Sequence, residues 1–521
     1  MNKKLTAVLC CAATAFACSF GLAACNEKPE ETPPPMADYN NVAFDGLDDI
    51  IIDRATESFD VMDGVTAVYD FDDDTQENLT EKVRYVLPAA AHVDDGEVTF
   101  DECGDYEITY YVNDDKGNHT VAKRTVKVRN MYNCYWVNAT LPVLYCALDM
   151  VSNDYKSMLV FTRSDTLNID ELDDDRFIYK INGSDDDDFL EAKRRMARIA
   201  NDDENSYFRL FIGDTLTHLE LFSFMQYRVP TSRYEVKLVS DGSLTYCNAF
   251  PYRNDGSIEK WNENKNIYNQ AVDAAMMGNF VSTGNGQFSI TVGDRTIKSS
   301  YTKAADMSEM AIIAAQRDNV EMWCGYPETL KSADPKVQAE IDKANMPKMS
   351  PDAMYAALTD AQKEKFLKIC NLDKATFDKE YFDKDGEYLI ITGANPFTSR
   401  YFTDAEFAEL LERIIADYDG YNILYKPHPS AVEPGDDLPL TKKVLEDNAV
   451  KILPGRLPME VITWVYGDAK LGGFDSSLFM AVPQGNTEFF IAQNADALSV
   501  LSKQLYNDGA FGSPKFYWKA A

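Results

Sequence analysis

YNILYKPHPS, residues 421–430, is the stretch from which the fold can be read. A short apolar run of strand length stops at Lys426-Pro427-His428-Pro429, where proline can no longer donate to a ladder. Similar units stand on either side. Upstream, the run 388–392 reads as a strand with Gly393-Ala394-Asn395-Pro396 as its exit loop. Thr403 and Glu406 then form a capping-box signature for a helix with Phe407, Leu410, Leu411, Ile414 and Ile415 on one face. Downstream, 450–453 predicts another strand, and Pro458 suits the first turn of a short helix with Glu460 just inside it. Gly472-Gly473 precede Ser476-Ser477, which are expected to open a further helix. Strands alternating with helices predict an open α/β sheet, whose chemistry sits on the loops after the strands. A cation (Lys426), an imidazole (His428), a carboxylate (Glu460) and two hydroxyls fall on such loops.

A second α/β pattern precedes this one. Residues 158–162 and 207–212 read as strands, and the latter leads into Gly213-Asp214-Thr215. A helix over 216–229 follows, stopped at Val229-Pro230. The next strand, 234–239, runs into Ser240-Asp241-Gly242-Ser243, so Asp241 is expected at a strand's C-terminal end. Residues 258–277 and 304–370 read as largely helical.

Residues 38–130 have the opposite character. Tyr106, Ile108, Tyr110 and Val112 alternate with Glu107, Thr109 and Tyr111, which is the period of a two-faced strand. A turn over 113–118 then leads to a second strand over 120–128. This predicts a small Ig-like β-sandwich acting as a spacer.

The first residues read as a targeting signal: Lys3 and Lys4, an apolar run over 5–22, then Leu22-Ala23-Ala24-Cys25, as at a bacterial lipoprotein cleavage site. Cys25 is the expected lipidation site, and the Pro-rich run 25–37 a semi-rigid tether. The expected location is thus outside the cytoplasm, on a membrane through a lipid anchor. With 51 basic against 85 acidic residues the formal charge is −34, which disfavours nucleic acid and anionic lipid as partners. The runs 72–74, 173–175 and 185–188 are aspartates without a spaced ligand set, and read as solvated loops. Six cysteines outside the signal are scattered without zinc spacing. They read as buried thiols or as half-cystines permitted by an extracellular address.

Of four histidines, His428 is set apart by the prolines on both sides, which fix φ and aim the ring; imidazole suits protonation of a leaving phosphate near neutral pH. Ser476-Ser477 reads as a helix N-cap or as a phosphate cradle. Asp241 reads as a turn aspartate or as a base.

Taken together, LTDAQKEKFLKICNL (358–372), EYLIITG (387–393), YKPHP (425–429), LPMEV (457–461) and GGFDSSLFMAVP (472–483) resemble, in order and spacing, the bacterial sialyltransferases of glycosyltransferase family 80. The resemblance spans about residues 207–521. It implies an α/β protein of GT-B type, a pair of doubly wound Rossmann-like domains, preceded in some members by an Ig-like sandwich. By position, Asp241 matches the family's general base and His428 the acid that assists departure of CMP. Lys426, Pro429, Glu460, Ser476, Ser477 and Gly393 fall on the donor side, with Lys426 at the cytidine, Glu460 at the ribose and the serines at the phosphate. Phe397, where a tryptophan is usual, and His218 fall on the acceptor side. Ser240 stands where the family has an acid, and Ser430 where some members have arginine. The reaction implied is an inverting displacement from CMP-sialic acid to a galactoside or lactose-like glycan acceptor, with no cofactor and no metal.

The expected domains are 1–24 (signal), 25–37 (linker), 38–130 (sandwich), 131–385 (acceptor-side α/β) and 386–505 (donor-side α/β), with a tail over 506–521 packing back on the acceptor side. The alternatives are a transferase of the same architecture using another CMP- or CDP-activated donor, and a surface glycan-binding lipoprotein without activity.

Overall fold

Residue patterns of two periods meet in this chain. A computed structural model describes residues 42–519 apart from 55–56, 71–74, 95, 114–118, 138, 162–166, 172–174, 183–185, 215–228, 243–244, 247–255, 278–279, 285–286, 293–294, 301–304, 394–401, 429–437, 475, 483–484, 495–497, 499, 508 and 510. The signal and tether, with Cys25, therefore lie outside the described residues, as does the helix expected over 216–229. Among the described residues no helix is long and apolar enough to cross a membrane. Contacts divide the chain into Met1–Tyr132 with Ile199–Phe208, and Asn133–Arg198 with Arg209–Ala521.

The described part of the first unit is built mainly of β-strands. Gly104–Asn113 pairs antiparallel with the first half of His119–Val137 and with Arg84–Val86, while Ile50–Asp53 runs parallel to that long strand. Two small antiparallel sheets complete it, Val42–Asp45 with Thr66–Asp70 and Gln76–Asn78, and Phe59–Asp60 with Glu97–Phe100 and Ala91–Asp94. The alternation read at 106–112 is real: Ile108, Tyr110 and Val112 are buried in the core with Phe100 and Val126, and the Tyr110 hydroxyl donates to the Val61 carbonyl at 2.8 Å. The expected border at 130/131 falls inside one strand, His119–Val137.

Among the described residues, three sheets lie wholly or partly in the second unit. The order of the first is Phe177–Asn182, Lys156–Phe161, His119–Val137, Ser206–Gly213, Tyr234–Val239, Val320–Trp323. Ser206–Gly213 is buried along its whole length, as a strand covered on both faces must be. Thr140–Ser152 is buried from Leu141 to Val151 and packs against Pro351–Ala356 and Asp360–Ile369. A three-stranded antiparallel sheet over Phe280–Gly284, Gln287–Val292 and Arg295–Ser300 was not anticipated from the sequence.

Every pairing in the second sheet is parallel. Its order is Lys451–Ile452, Asn422–Lys426, Tyr388–Thr392, Lys470–Phe474, Thr487–Ala492, Lys515–Trp518. The capping box at Thr403 and Glu406 forms as read, and the helix Asp404–Asp417 buries Phe407, Leu410, Leu411 and Ile414.

Two expectations are corrected. The C-terminal tail does not pack back on the acceptor-side sheet: Lys515–Trp518 pairs with Thr487–Ala492 as the edge strand of the second sheet. Tyr517 donates to Asp417 at 2.5 Å and Lys519 pairs with Glu406 at 2.9 Å, holding it there. The run KFYW offers an unfilled sheet edge both ladder groups and apolar side chains, which outweighs any looser contact elsewhere. The two serines, likewise, open a single 3-10 turn, Ser477–Met480, and not a longer helix. Pro483 lies just beyond and disfavours helical backbone at the residue before it.

Candidate active site

The second sheet reverses its strand order at Tyr388–Thr392, whose neighbours are Asn422–Lys426 on one side and Lys470–Phe474 on the other. In open α/β sheets ligands bind beyond the strand ends at such a switch point. Here the strands approach closely because glycine allows it. A side chain at Gly393 would put Cβ 2.2 Å from the Tyr425 hydroxyl, and one at Gly473 (φ +153°) would put it 1.8 Å from Thr392 Oγ1. The Gly393 N–H donates to the Lys426 carbonyl at 2.8 Å, closing the corner between the first two strands.

Lys426 ends its strand 3 % exposed, unusual for lysine. Its ammonium donates to the carbonyls of Pro427 (3.0 Å) and Gly455 (2.8 Å), tying the start of the His428 loop to the loop before the helix Met459–Val465. Burial pulls the ammonium down to about 8, with the Glu460 carboxylate pulling the other way. Glu460 sits in the first turn of Met459–Val465 and is partly exposed. Burial of its carboxyl pushes its pKa up, against a backbone hydrogen bond and the Lys426 charge. Lys426 at its strand end and Glu460 in the first turn of its helix each favour the other's ionised form. His428 follows directly and is half-buried. Ser476 is exposed, and its hydroxyl accepts from the Leu478 N–H at 3.1 Å, which is the N-cap arrangement. Pro429, Phe397 and His218 lie outside the described residues, as does the side chain of Ser477.

Asp241 lies at the end of Tyr234–Val239 in the first sheet, as the sequence predicts. Hydrogen bonds among the described residues hold the turn that carries it. The Ser240 N–H donates to the Trp323 carbonyl at 3.0 Å, and the Asp241 N–H lies 3.0 Å from both Asp214 Oδ1 and Thr245 Oγ1. Ser240 Oγ pairs with Thr245 Oγ1 at 3.0 Å and accepts from the Gly242 N–H at 3.2 Å, while Gly242 takes a left-handed φ of +73°. Ser240 thus does a structural task that an acid there would do less cheaply in so buried a place. Asp214 was not singled out from the sequence, although the available signal was the one used for Asp241: an acid directly after a wholly apolar strand end.

Cys103, Cys134, Cys146, Cys324 and Cys370 are free thiols, and all but Cys103 are buried. Burial pushes the Cys134 thiol up to about 12, which keeps it inert. Among the described residues no group of three or more His, Cys, Asp or Glu could hold a metal ion.

No family model and no curated protein matches this sequence. Solved structures do. A sialyltransferase from Photobacterium damsela is similar over 90 % of this chain and 98 % of its own, with a TM-score of 0.56 and 14 % identity. A Photobacterium 2,6-sialyltransferase, solved in a ternary complex with CMP and lactose, is similar over 90 % and 96 %, with a TM-score of 0.53 and 15 % identity. An α/β-galactoside α-2,3-sialyltransferase from Photobacterium phosphoreum covers 74 % of this chain and 98 % of its own, with a TM-score of 0.54 and 14 % identity. The resemblance read in the motifs therefore extends to the architecture, and the fold of the α/β part is the GT-B pair of Rossmann-like domains seen in these bacterial sialyltransferases.

Proposed function

We propose that this protein is a glycosyltransferase that moves sialic acid from CMP-sialic acid to a hydroxyl of a galactoside. The observation that supports the reading is that Asp241 stands just after a strand of one Rossmann-like sheet, Lys426 ends a strand of the other with His428 two residues on, and Glu460 lies in the first turn of Met459–Val465, these being the residues to which the motif resemblance gives roles. Asp241 takes the proton of the acceptor hydroxyl as it attacks the anomeric carbon from the side opposite the phosphate. The bond to the phosphate oxygen breaks with inversion, and His428 gives a proton to the departing CMP. Lys426 and Glu460 hold the nucleoside, and Ser476 and Ser477 the phosphate. Neither step calls for a metal. The all-β region is a spacer, and the N-terminal segment a lipid-anchored tether facing outside the cytoplasm.

The test is release of CMP and formation of sialyllactose from CMP-sialic acid and lactose in the presence of a chelator. Asp241→Asn and His428→Ala should each lower turnover at least about 100-fold with the fold retained. A protein that turns over no CMP-sialic acid yet binds glycans would be a binding lipoprotein, and one that consumes only another cytidine-activated donor would keep the architecture and lose the substrate.

A further inference from the structure

Asp214 is wholly buried at the end of Ser206–Gly213, next to the point where the first sheet's strand order reverses. One carboxyl oxygen accepts from the Asp241 N–H at 3.0 Å, and the Asp214 N–H donates to the Val239 carbonyl at 3.0 Å. The two acids are therefore bound to each other's strand ends, 27 residues apart in sequence. The second oxygen, Oδ2, is buried without a hydrogen-bond partner among the described residues. A carboxylate left so would be costly, whereas a neutral carboxyl needs no counter-charge. Asp241 and Thr245 face Asp214 from the turn after the neighbouring strand, Cys324 from the end of Val320–Trp323, and Tyr145 from the helix Thr140–Ser152. None of these four is a cation. Burial, with the Asp241 charge adding to it, pushes the Asp214 carboxyl up to about 7, against the Thr245 hydrogen bond.

We propose that Asp214 is a positioning residue for Asp241, pinning its main chain with one oxygen and governing through its own charge how strongly Asp241 takes a proton. The proposal rests on the assignment of Asp241 as the base. With Asp214 neutral, the Asp241 turn is held and Asp214 places no charge behind Asp241. When Asp214 ionises, a like charge stands behind Asp241 and makes it the stronger base.

Two variants test this on the full chain. Asp214→Asn keeps the acceptor for the Asp241 N–H but cannot ionise, and Asp214→Ala loses both. At pH 6 Asp214→Asn should keep kcat within about 3-fold, while Asp214→Ala should lose about 30-fold in kcat with the KM for CMP-sialic acid unchanged. Between pH 6 and 8 the ratio of wild-type to Asp214→Asn kcat should rise about 3–10-fold. A flat or falling ratio, or Asp214→Ala as active as wild type, overturns the proposal. One further readout needs no turnover. From pH 4 to 7 the native state holds a proton that the unfolded chain has lost, so wild type should lose about 5–10 °C of Tm relative to Asp214→Asn across that range. A constant Tm difference overturns the proposal. If Asp241→Asn keeps full turnover, the base itself is misassigned and the proposal falls with it. If Asp241→Asn is inactive while both Asp214 tests fail, only the role of Asp214 is lost.

Discussion

Replacing Gly473 by alanine tests the switch-point geometry most directly. Gly473 pairs in register with Thr392 on the central strand, and its φ of +153° is one that residues with a side chain rarely adopt. An added Cβ would lie 1.8 Å from Thr392 Oγ1, 2.6 Å from the Thr392 carbonyl oxygen and 2.9 Å from its Cβ. The hydroxyl could rotate away only by leaving the Gly472 carbonyl it bonds at 3.3 Å. The carbonyl oxygen belongs to the strand and cannot move without opening the pairing. Backbone strain contributes about 1–3 kcal/mol, and forced repacking about another 1–3. Roughly 4 kcal/mol is a large share of the ~5–15 kcal/mol that holds a domain together. The expected loss is about 10 °C in Tm, read by calorimetry. Gly420→Ala is the control, because a Cβ there meets nothing within 4 Å and no left-handed φ is imposed. It should leave Tm unchanged or slightly raised. A Gly473→Ala protein melting within about 2 °C of wild type would refute the account of why two glycines stand at this strand end.

Lys426 carries a pH signature. Its folded-state value of about 8 lies below its unfolded 10.5, so the unfolded chain holds more protons between those limits and stability should rise with pH across them. The gain is about 3 kcal/mol at most, and urea melts of Lys426→Met should lack it; the same slope in the variant would exclude Lys426 as its source. Arg209, 3 % exposed, donates to Asp149 at 3.1 Å, to Asn133 at 3.1 Å and to Glu235 at 3.1 Å. Asp149→Ala removes one of the two carboxylates that hold that cation, leaves Glu235 at 3.1 Å, and should cost about 1.5–3 kcal/mol by denaturant titration; a cost below about 0.5 kcal/mol would mean solvent reaches the guanidinium.

Much of the second sheet was legible because its signals are local. The strand 388–392, the capping box at Thr403 and the apolar stripe of the following helix each depend on residues within a few positions of one another. The same holds for Asp241, Lys426 and His428, placed after strands by reading where apolar runs end. Less legible were features that depend on a distant partner. The length of the turn after Ser476 is limited by a downstream proline, so a serine pair that suits a helix start opened only four residues of 3-10 structure. The sheet over 280–300 escaped notice inside a region read between two helical stretches.

Taken alone, the sequence determined the alternation of strands and helices, the glycines at the strand ends, the acidic charge and the motif residues, since each is written in spacing or composition. Tertiary structure decided which strand ends stand side by side. It brought Asp214 to the main chain of Asp241, and it placed the tail 515–518 on the second sheet instead of the first. It also buried Lys426 against two carbonyls. Neighbour choice in a parallel sheet is set by long-range pairing and by which edge is left unfilled, and no local pattern encodes either.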